Sequence, residues 1–193
     1  MATVTGYHGT SRATARSVAA GETLLKSKKN EGDWLGEGVY FWQDAPARAW
    51  DWADRHFPNQ AAVVKAELDL SGCFDLLDLE DFAELLVVHE EFTKQEAARN
   101  LVFKQTPLKL EGGRTKIRNR GFVNDRDQAL LEFGLPILEE VRNQPIRSIR
   151  AAFVYGRALH PRSHLFNWAH VQICVRSAHV ATVVRDVVEI ERL

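Results

Sequence analysis

Apolar residues recur along this chain with two different periods, and the points where the period changes divide it into elements. Thr3 to His8 is short and partly β-branched, and predicts a strand. Thr10 or Ser11 then offers a hydroxyl cap, and Ala15, Val18 and Ala19 fall at helical spacing before Gly21 closes the helix. Residues 22–37 are polar and glycine-rich and read as a loop. Gly38 to Trp42 predicts a second strand. Asp44 can cap the next helix, with Pro46 tolerated in its first turn, and Ala49, Trp50, Ala53 and Phe57 line one of its faces. Ala61 to Leu70 alternates as a third strand through Val63, Val64, Ala66, Leu68 and Leu70.

Beyond it, Asp78 can cap a helix running to about Asn100, with Phe82, Leu85, Leu86, His89 and Phe92 on one side. Residues 104–126 look irregular and basic. Asp125 to Asn143 is helical in pattern, but Gly134 and Pro136 should break or kink it. The last third changes character: Ser148 to Tyr155, His170 to Arg176 and Ala181 to Ile190 all predict strands, and a loop rich in His, Arg and Pro at 157–168 joins the first two. Helices and strands mix without a regular βαβ period, so the expected class is α+β.

Composition narrows the function classes. A length of 193 residues predicts a single domain, 45% hydrophobic residues suit an ordinary core, and a formal net charge of −1 supplies no global attraction to nucleic acid or membrane. Any such partner must be met by a local patch. The longest apolar runs, such as Leu85 to Val88, are far too short to span a bilayer, and Met1 to His8 lacks the pattern of a secretory leader. Cys73 and Cys174 are flanked by apolar residues and read as core residues. The expectation is a soluble cytoplasmic domain.

Two short motifs carry the chemistry. Gly-Tyr-His-Gly-Thr occupies 6–10 and Gly-Glu-Gly-Val-Tyr-Phe occupies 36–41. Glycine lets a flat ligand approach the main chain, and one peptide unit offers the donor and acceptor that a carboxamide needs. In this order the two motifs resemble the first two signatures of the ADP-ribosyltransferase superfamily, which includes the poly(ADP-ribose) polymerases and many bacterial toxins. The resemblance implies a split β-sheet core flanked by helices, spanning 1–193 as one domain with a helical and basic-loop insertion at about 78–145. It implies NAD as co-substrate, no metal, and cleavage at the nicotinamide–ribose bond. It assigns the His8 ring to a hydroxyl of the adenosine ribose and the Gly9 backbone to the nicotinamide carboxamide, with Thr10 beside them. Tyr40 would stack on the nicotinamide, Gly36 and Gly38 would keep the strand entry thin, and Trp52 would close the pocket while Trp50 packs in the core. The plainer reading of His8 and Tyr40 is a strand-end histidine and an ordinary strand aromatic.

The third signature departs from the family. A Glu is expected at the start of a late strand, and the best match, His170 to Val175, puts Gln172 there. Glutamine can hold a ribose hydroxyl but cannot serve as a general base. Three readings follow: an active enzyme with an undemanding acceptor, an enzyme that takes its base from elsewhere, or an inactive binder. For the second, His170 shares a strand face with Gln172 and would titrate near neutrality. The alternative for His170 is a loop-edge residue with no role. A glutamine in this place also occurs among bacterial toxin-like relatives, which favours an active transferase.

Two basic segments could meet an acceptor. From Lys104 to Arg120, Lys104, Lys109, Arg114, Lys116, Arg118 and Arg120 stand against Glu111 alone. The loop before the third motif carries Arg157, His160, Arg162 and His164, followed by Phe166 and Trp168. Cations with exposed aromatics suit phosphates and unstacked bases, so nucleic acid, RNA or DNA, is the expected acceptor. The bland alternative is a pair of solvated faces with Phe166 and Trp168 in the core. By resemblance, a catalytic core of this size acts as a bacterial toxin or phage-defence effector neutralised by an antitoxin protein, with no membrane partner. The competing readings are a transferase acting on a protein side chain, an NAD hydrolase, a non-catalytic NAD or ADP-ribose binding module, and a plain nucleic-acid-binding domain.

Overall fold

The computed structural model describes residues 3–27, 33–103 and 125–192. In chain order the elements are β1 (Thr3–Ser11), α1 (Arg12–Ala19), β2 (Val39–Gln43), α2 (Pro46–His56), β3 (Ala61–Asp69), β4 (Cys73–Asp75), α3 (Leu79–Arg99), α4 (Asp125–Arg142), β5 (Ser148–Ala158), β6 (Phe166–Val175), a 3-10 turn (Ser177–His179), α5 (Val180–Val183) and β7 (Val184–Ile190). The class is α+β. The strands form one sheet in the order β4-β5-β6-β2-β1-β3-β7. All neighbours are antiparallel except β4 and β5, which run parallel and are joined through α3 and α4.

The middle of the sheet is covered on both faces, and its strands carry consecutive buried apolar residues there, such as Phe41 and Trp42 or Ala62, Val63 and Val64. On one face Val39, Phe41, Val64, Ala66, Leu68, Ile173 and Val175 pack with Ala15 and Val18 of α1 and with Val180 and Val183 of α5. On the other face there are two cores. Trp42 and Val63 meet Ala49 of α2. Phe74, Ile149, Ala151, Phe153 and Cys174 meet Leu85 and Val88 of α3 and Leu131, Leu135 and Leu138 of α4. Full burial of a side chain such as Phe41 contributes about 1.5–3 kcal/mol.

Strand pairing is uneven. β1 pairs with β3 over its whole length, from Thr3↔Asp69 to Ser11↔Ala61. With β2 it pairs only at Gly6↔Gln43 and Tyr7↔Trp42. From His8 onward the two central strands part.

Local sequence accounts for most element ends. The Ser11 hydroxyl caps α1 by accepting from the Thr14 amide. Asp78 caps α3 by accepting from the amides of Glu80 and Asp81, and Asn100 closes that helix in the left-handed conformation. Other expectations are corrected. Asp44 does not cap α2. It takes a left-handed turn with φ 50°, and Ala45 precedes Pro46 without a side-chain cap. Residues 180–183 are helical and β7 begins at Val184. α4 runs unbroken past Gly134 and Pro136. A Cβ on Gly134 would overlap Val88 of α3, so this glycine lets the two helices approach closely, and the buried Leu131, Leu135 and Leu138 face outweighs the amide that proline lacks. The buried face of α3 is Leu85, Val88 and Phe92, while Phe82 and Leu86 are exposed. Among the described residues no helix is long and apolar enough to cross a membrane.

Candidate functional site

The first motif lies in the centre of the sheet, where β1 and β2 separate. His8 is tilted against Phe41 at 5.6 Å, which places its ring on the α1 side. Its Nδ1 lies 2.8 Å from the Tyr40 carbonyl oxygen. A carbonyl only accepts, so Nδ1 carries the proton. Burial lowers the pKa of the ring, against the raising effect of that bond, so the ring is neutral and Nε2 presents a lone pair. Thr10 is buried beside it. Gly9 faces α2: a Cβ there would overlap the Ala49 carbonyl and crowd Ala53 and the Trp52 ring. Helix packing therefore demands this glycine whatever else its backbone does. A Cβ on Gly38 would likewise overlap Cys174 Sγ and the Val175 carbonyl.

Tyr40 points to the opposite face from His8. Its hydroxyl donates to the Gly36 carbonyl at 2.7 Å and accepts from the Leu35 amide at 2.9 Å. Burial pushes the phenol well above its ordinary range, so it stays protonated. The Tyr40 side chain thus anchors the 34–36 turn to the sheet. Its cross-strand partner is Cys174, whose thiol is pushed up to about 12 by burial. The neighbouring pair on the same face is Trp42 and Gln172, and Gln172 also faces Ala151 of β5. The Gln172 amide makes no side-chain hydrogen bond among the described residues.

His8, Tyr40 and Gln172 consequently sit on three adjacent strands, β1, β2 and β6, but not on one face. Gln172 and His170 do share a face, as their spacing requires. His170 faces Phe153 across β5 and lies against the edge of the Tyr155 ring at 5.6 Å. Burial, reinforced by the Arg48 guanidinium, lowers its pKa to about 4. The expectation of titration near neutrality is corrected: the ring is neutral at pH 7 and a weak base. Its Nδ1 is buried and meets no partner at good hydrogen-bond geometry among the described residues, while the Trp168 backbone partly opposes the lowering.

The segment expected to be a loop at 157–168 is strand at its two ends and a turn over 159–165. β5 extends to Ala158 and β6 starts at Phe166, so Trp168 lies within β6 opposite Tyr155. A register irregularity falls between Tyr155 and Ala158, where Gly156 has φ +95° and a Cβ would meet the Trp168 indole at 2.6 Å. The alternation of the two strands stacks Phe153, Tyr155, Trp168, His170 and Gln172 on one face. Trp34 covers Phe153 edge-on at 4.5 Å and leans on Tyr155 at 5.8 Å. From the other side, α2 brings the Arg48 guanidinium to 4.8 Å and that of Arg55 to 5.4 Å from the Trp168 ring. Arg48 also donates to the Asn167 carbonyl, and Arg55 pairs with Asp51 at 2.6 Å.

The sequence reading missed Arg48, Arg55, Trp34, Phe153 and Tyr155. The signal was present, since Arg48 and Arg55 are seven residues apart on one helix face and the aromatics alternate. Other expected site residues disperse. Trp52 is half-buried, stacked on His56 at 4.0 Å and tilted against Trp42, and Trp50 is half-buried under the Arg192 guanidinium. Arg157 and Arg162 are exposed near the β5–β6 turn. Arg114, Lys116 and Arg118 lie outside the described residues. Among the described residues there is no group of three or more His, Cys, Asp or Glu placed to hold a metal ion.

No family model matches the chain, and no solved structure matches it. An uncharacterized protein of Methanocaldococcus jannaschii is 33% identical to it over 84 residues, which are 40% of this chain and 39% of that relative. The chain thus spans about two fifths of the length of the curated relative it matches.

Proposed function

We propose that the chain is an NAD-dependent ADP-ribosyltransferase with glutamine in the third signature position, acting on a nucleic acid. One observation carries this reading: the motif residues His8, Tyr40 and Gln172 fall on three adjacent strands, at the point where β1 and β2 part after two residue pairs. On this reading the neutral His8 accepts a hydrogen bond from a ribose hydroxyl at Nε2, while Gln172, which makes no side-chain hydrogen bond among the described residues, holds a hydroxyl of the nicotinamide ribose. The bond between nicotinamide N1 and ribose C1′ breaks, and its electron pair neutralises the pyridinium nitrogen. The oxocarbenium-like ribose is then captured by an acceptor, which loses a proton. Because Gln172 is no base and His170 is a weak one, the rate comes from fixing and drying the dinucleotide. In the cell this activity would belong to a toxin or phage-defence effector held in check by an antitoxin.

The absence of a base at Gln172 and the weakness of His170 favour one second reading, a module that binds NAD without cleaving it.

Incubation with NAD labelled in its adenylate half, together with RNA, single-stranded DNA or cell protein, tests the proposal. Label should move to nucleic acid with release of nicotinamide. Gln172→Ala should slow that release about tenfold, the worth of one hydrogen bond of ~1.5 kcal/mol in the transition state. Gln172→Glu should retain or raise it. NAD that stays intact with every acceptor would sink the transferase reading and leave the binding module.

A further inference from the structure

We propose that the β5–β6 face beside Gln172 is a platform for one unpaired base of a single-stranded nucleic acid, with its phosphate held at Arg48 and Arg55. The inference rests on the transferase reading for why a base is brought there, but the binding needs no NAD.

Four features of this face point to that ligand. Tyr155 and Trp168 pair across the two strands with ring centroids 5.6 Å apart and planes tilted by 32°, a broad aromatic floor two residues along β6 from His170. Bases stack on such floors without sequence preference. Two guanidinium groups lie over the same indole, so a base that stacks there displaces them from the ring towards its own phosphate. Asp51 offsets the charge of Arg55, but Arg48 is bonded to a backbone carbonyl and to no carboxylate among the described residues, so a net positive charge remains beside the floor. A guanidinium displaced from the indole offers its N–H edge, which suits a phosphate oxygen. The third feature is His170 Nδ1, a buried polar atom that meets no partner at good hydrogen-bond geometry among the described residues. Such an atom costs stability unless something meets it, and the edge of a base carries both donors and acceptors. The fourth is the strand irregularity at Gly156, of the kind that re-aims side chains beside functional sites.

The arrangement also places the base next to the reacting centre. Trp168, His170 and Gln172 are successive residues on one face of β6. A base seated on Tyr155 and Trp168 therefore lies along the same face as the glutamine assigned to the nicotinamide ribose. A duplex cannot use the floor, because its bases are stacked on one another.

The test is fluorescence anisotropy with end-labelled single-stranded RNA, single-stranded DNA of the same sequence, and the DNA duplex, in the absence of NAD. Single strands should bind at least roughly tenfold more tightly than duplex, and the comparison of RNA with DNA tells which sugar is accepted. Trp168→Ala and Arg48→Ala should each weaken binding roughly tenfold or more, and Arg48→Ala should also lower the salt slope by about one. Trp168→Phe keeps an aromatic floor and should retain most of the affinity, which separates stacking from misfolding. Lys94→Ala, on exposed α3, should change nothing. Equal affinity for duplex and single strand, or full affinity in folded Trp168→Ala, would overturn the platform. Label transferred from NAD to protein with no oligonucleotide bound would overturn it and leave the transferase standing. Oligonucleotide binding with NAD never cleaved would uphold the platform and remove the transferase.

Discussion

At His170 burial and the Arg48 charge act in the same direction, and the consequence can be read in stability. The folded pKa is about 4, against about 6.5 for a free histidine. As pH falls below 6.5 the unfolded chain takes up the proton first. The contribution of this residue is therefore fully present above pH 6.5 and is lost between there and about pH 4. The pKa values of His8 and His179 are shifted the same way by burial, so they add to the slope. Urea midpoints should fall steadily from pH 7 to pH 4.5, and His170→Phe should flatten part of that fall. At Gly9 the expected change is steric. Gly9→Ala forces the Ala49 carbonyl aside and should cost about 1–3 kcal/mol, seen as a lower Tm with or without NAD. At Tyr40, removing only the hydroxyl leaves the Leu35 amide and Gly36 carbonyl unmet, so Tyr40→Phe should cost about 1–3 kcal/mol in a urea titration. His8, Gly9 and Tyr40 stand out in the sequence because their motifs are contiguous. Their packing roles were not, since the overlap of Gly9 with Ala49 exists only once α2 has docked on β1.

Elements were legible wherever a local signal fixed an end. Ser11, Asp78 and Asn100 act at helix ends as their chemistry dictates. Asp78→Ala should cost about 1 kcal/mol by loss of the cap on α3. The three-residue β4 was missed because it is too short to show a period and exists only by pairing with β5. α4 persists through Pro136 for a similar reason, since tertiary contacts with α3 override a local preference. Those two helices are also clamped by Arg142 of α4, which reaches Asp81 at 2.5 Å and Glu84 at 2.7 Å on α3. The Arg142 side chain is only 16% exposed. Arg142→Met strands two carboxylates and should destabilise by about 1–3 kcal/mol in a urea titration at neutral pH. The loop predicted at 157–168 is shorter than expected because Phe166, Trp168 and His170 alternate against β5, a pattern masked by the histidines, arginines and proline around the turn.

On the scale of the whole molecule, neither the order of the strands nor the parting of β1 from β2 could be read from periodicity. Both depend on pairings between residues far apart in sequence, such as Phe41↔Ile173 and Phe74↔Ile149. The α+β class was legible because it needs only the kinds of elements, not their neighbours. The same topology dictates an order of assembly. β2 is held on one side by a two-pair contact with β1, and on the other by β6, which follows it only after six further elements among the described residues. While the chain is being synthesised, β1 and β3 can zip together as soon as both have left the ribosome. β2 must wait with its outer edge of backbone amides and carbonyls unpaired until β5 and β6 are made. An open edge carrying Val39, Tyr40, Phe41 and Trp42 is sticky. The nascent chain is most vulnerable to wrong partners during that interval, and a chaperone that shields a hydrophobic strand edge would raise its yield most.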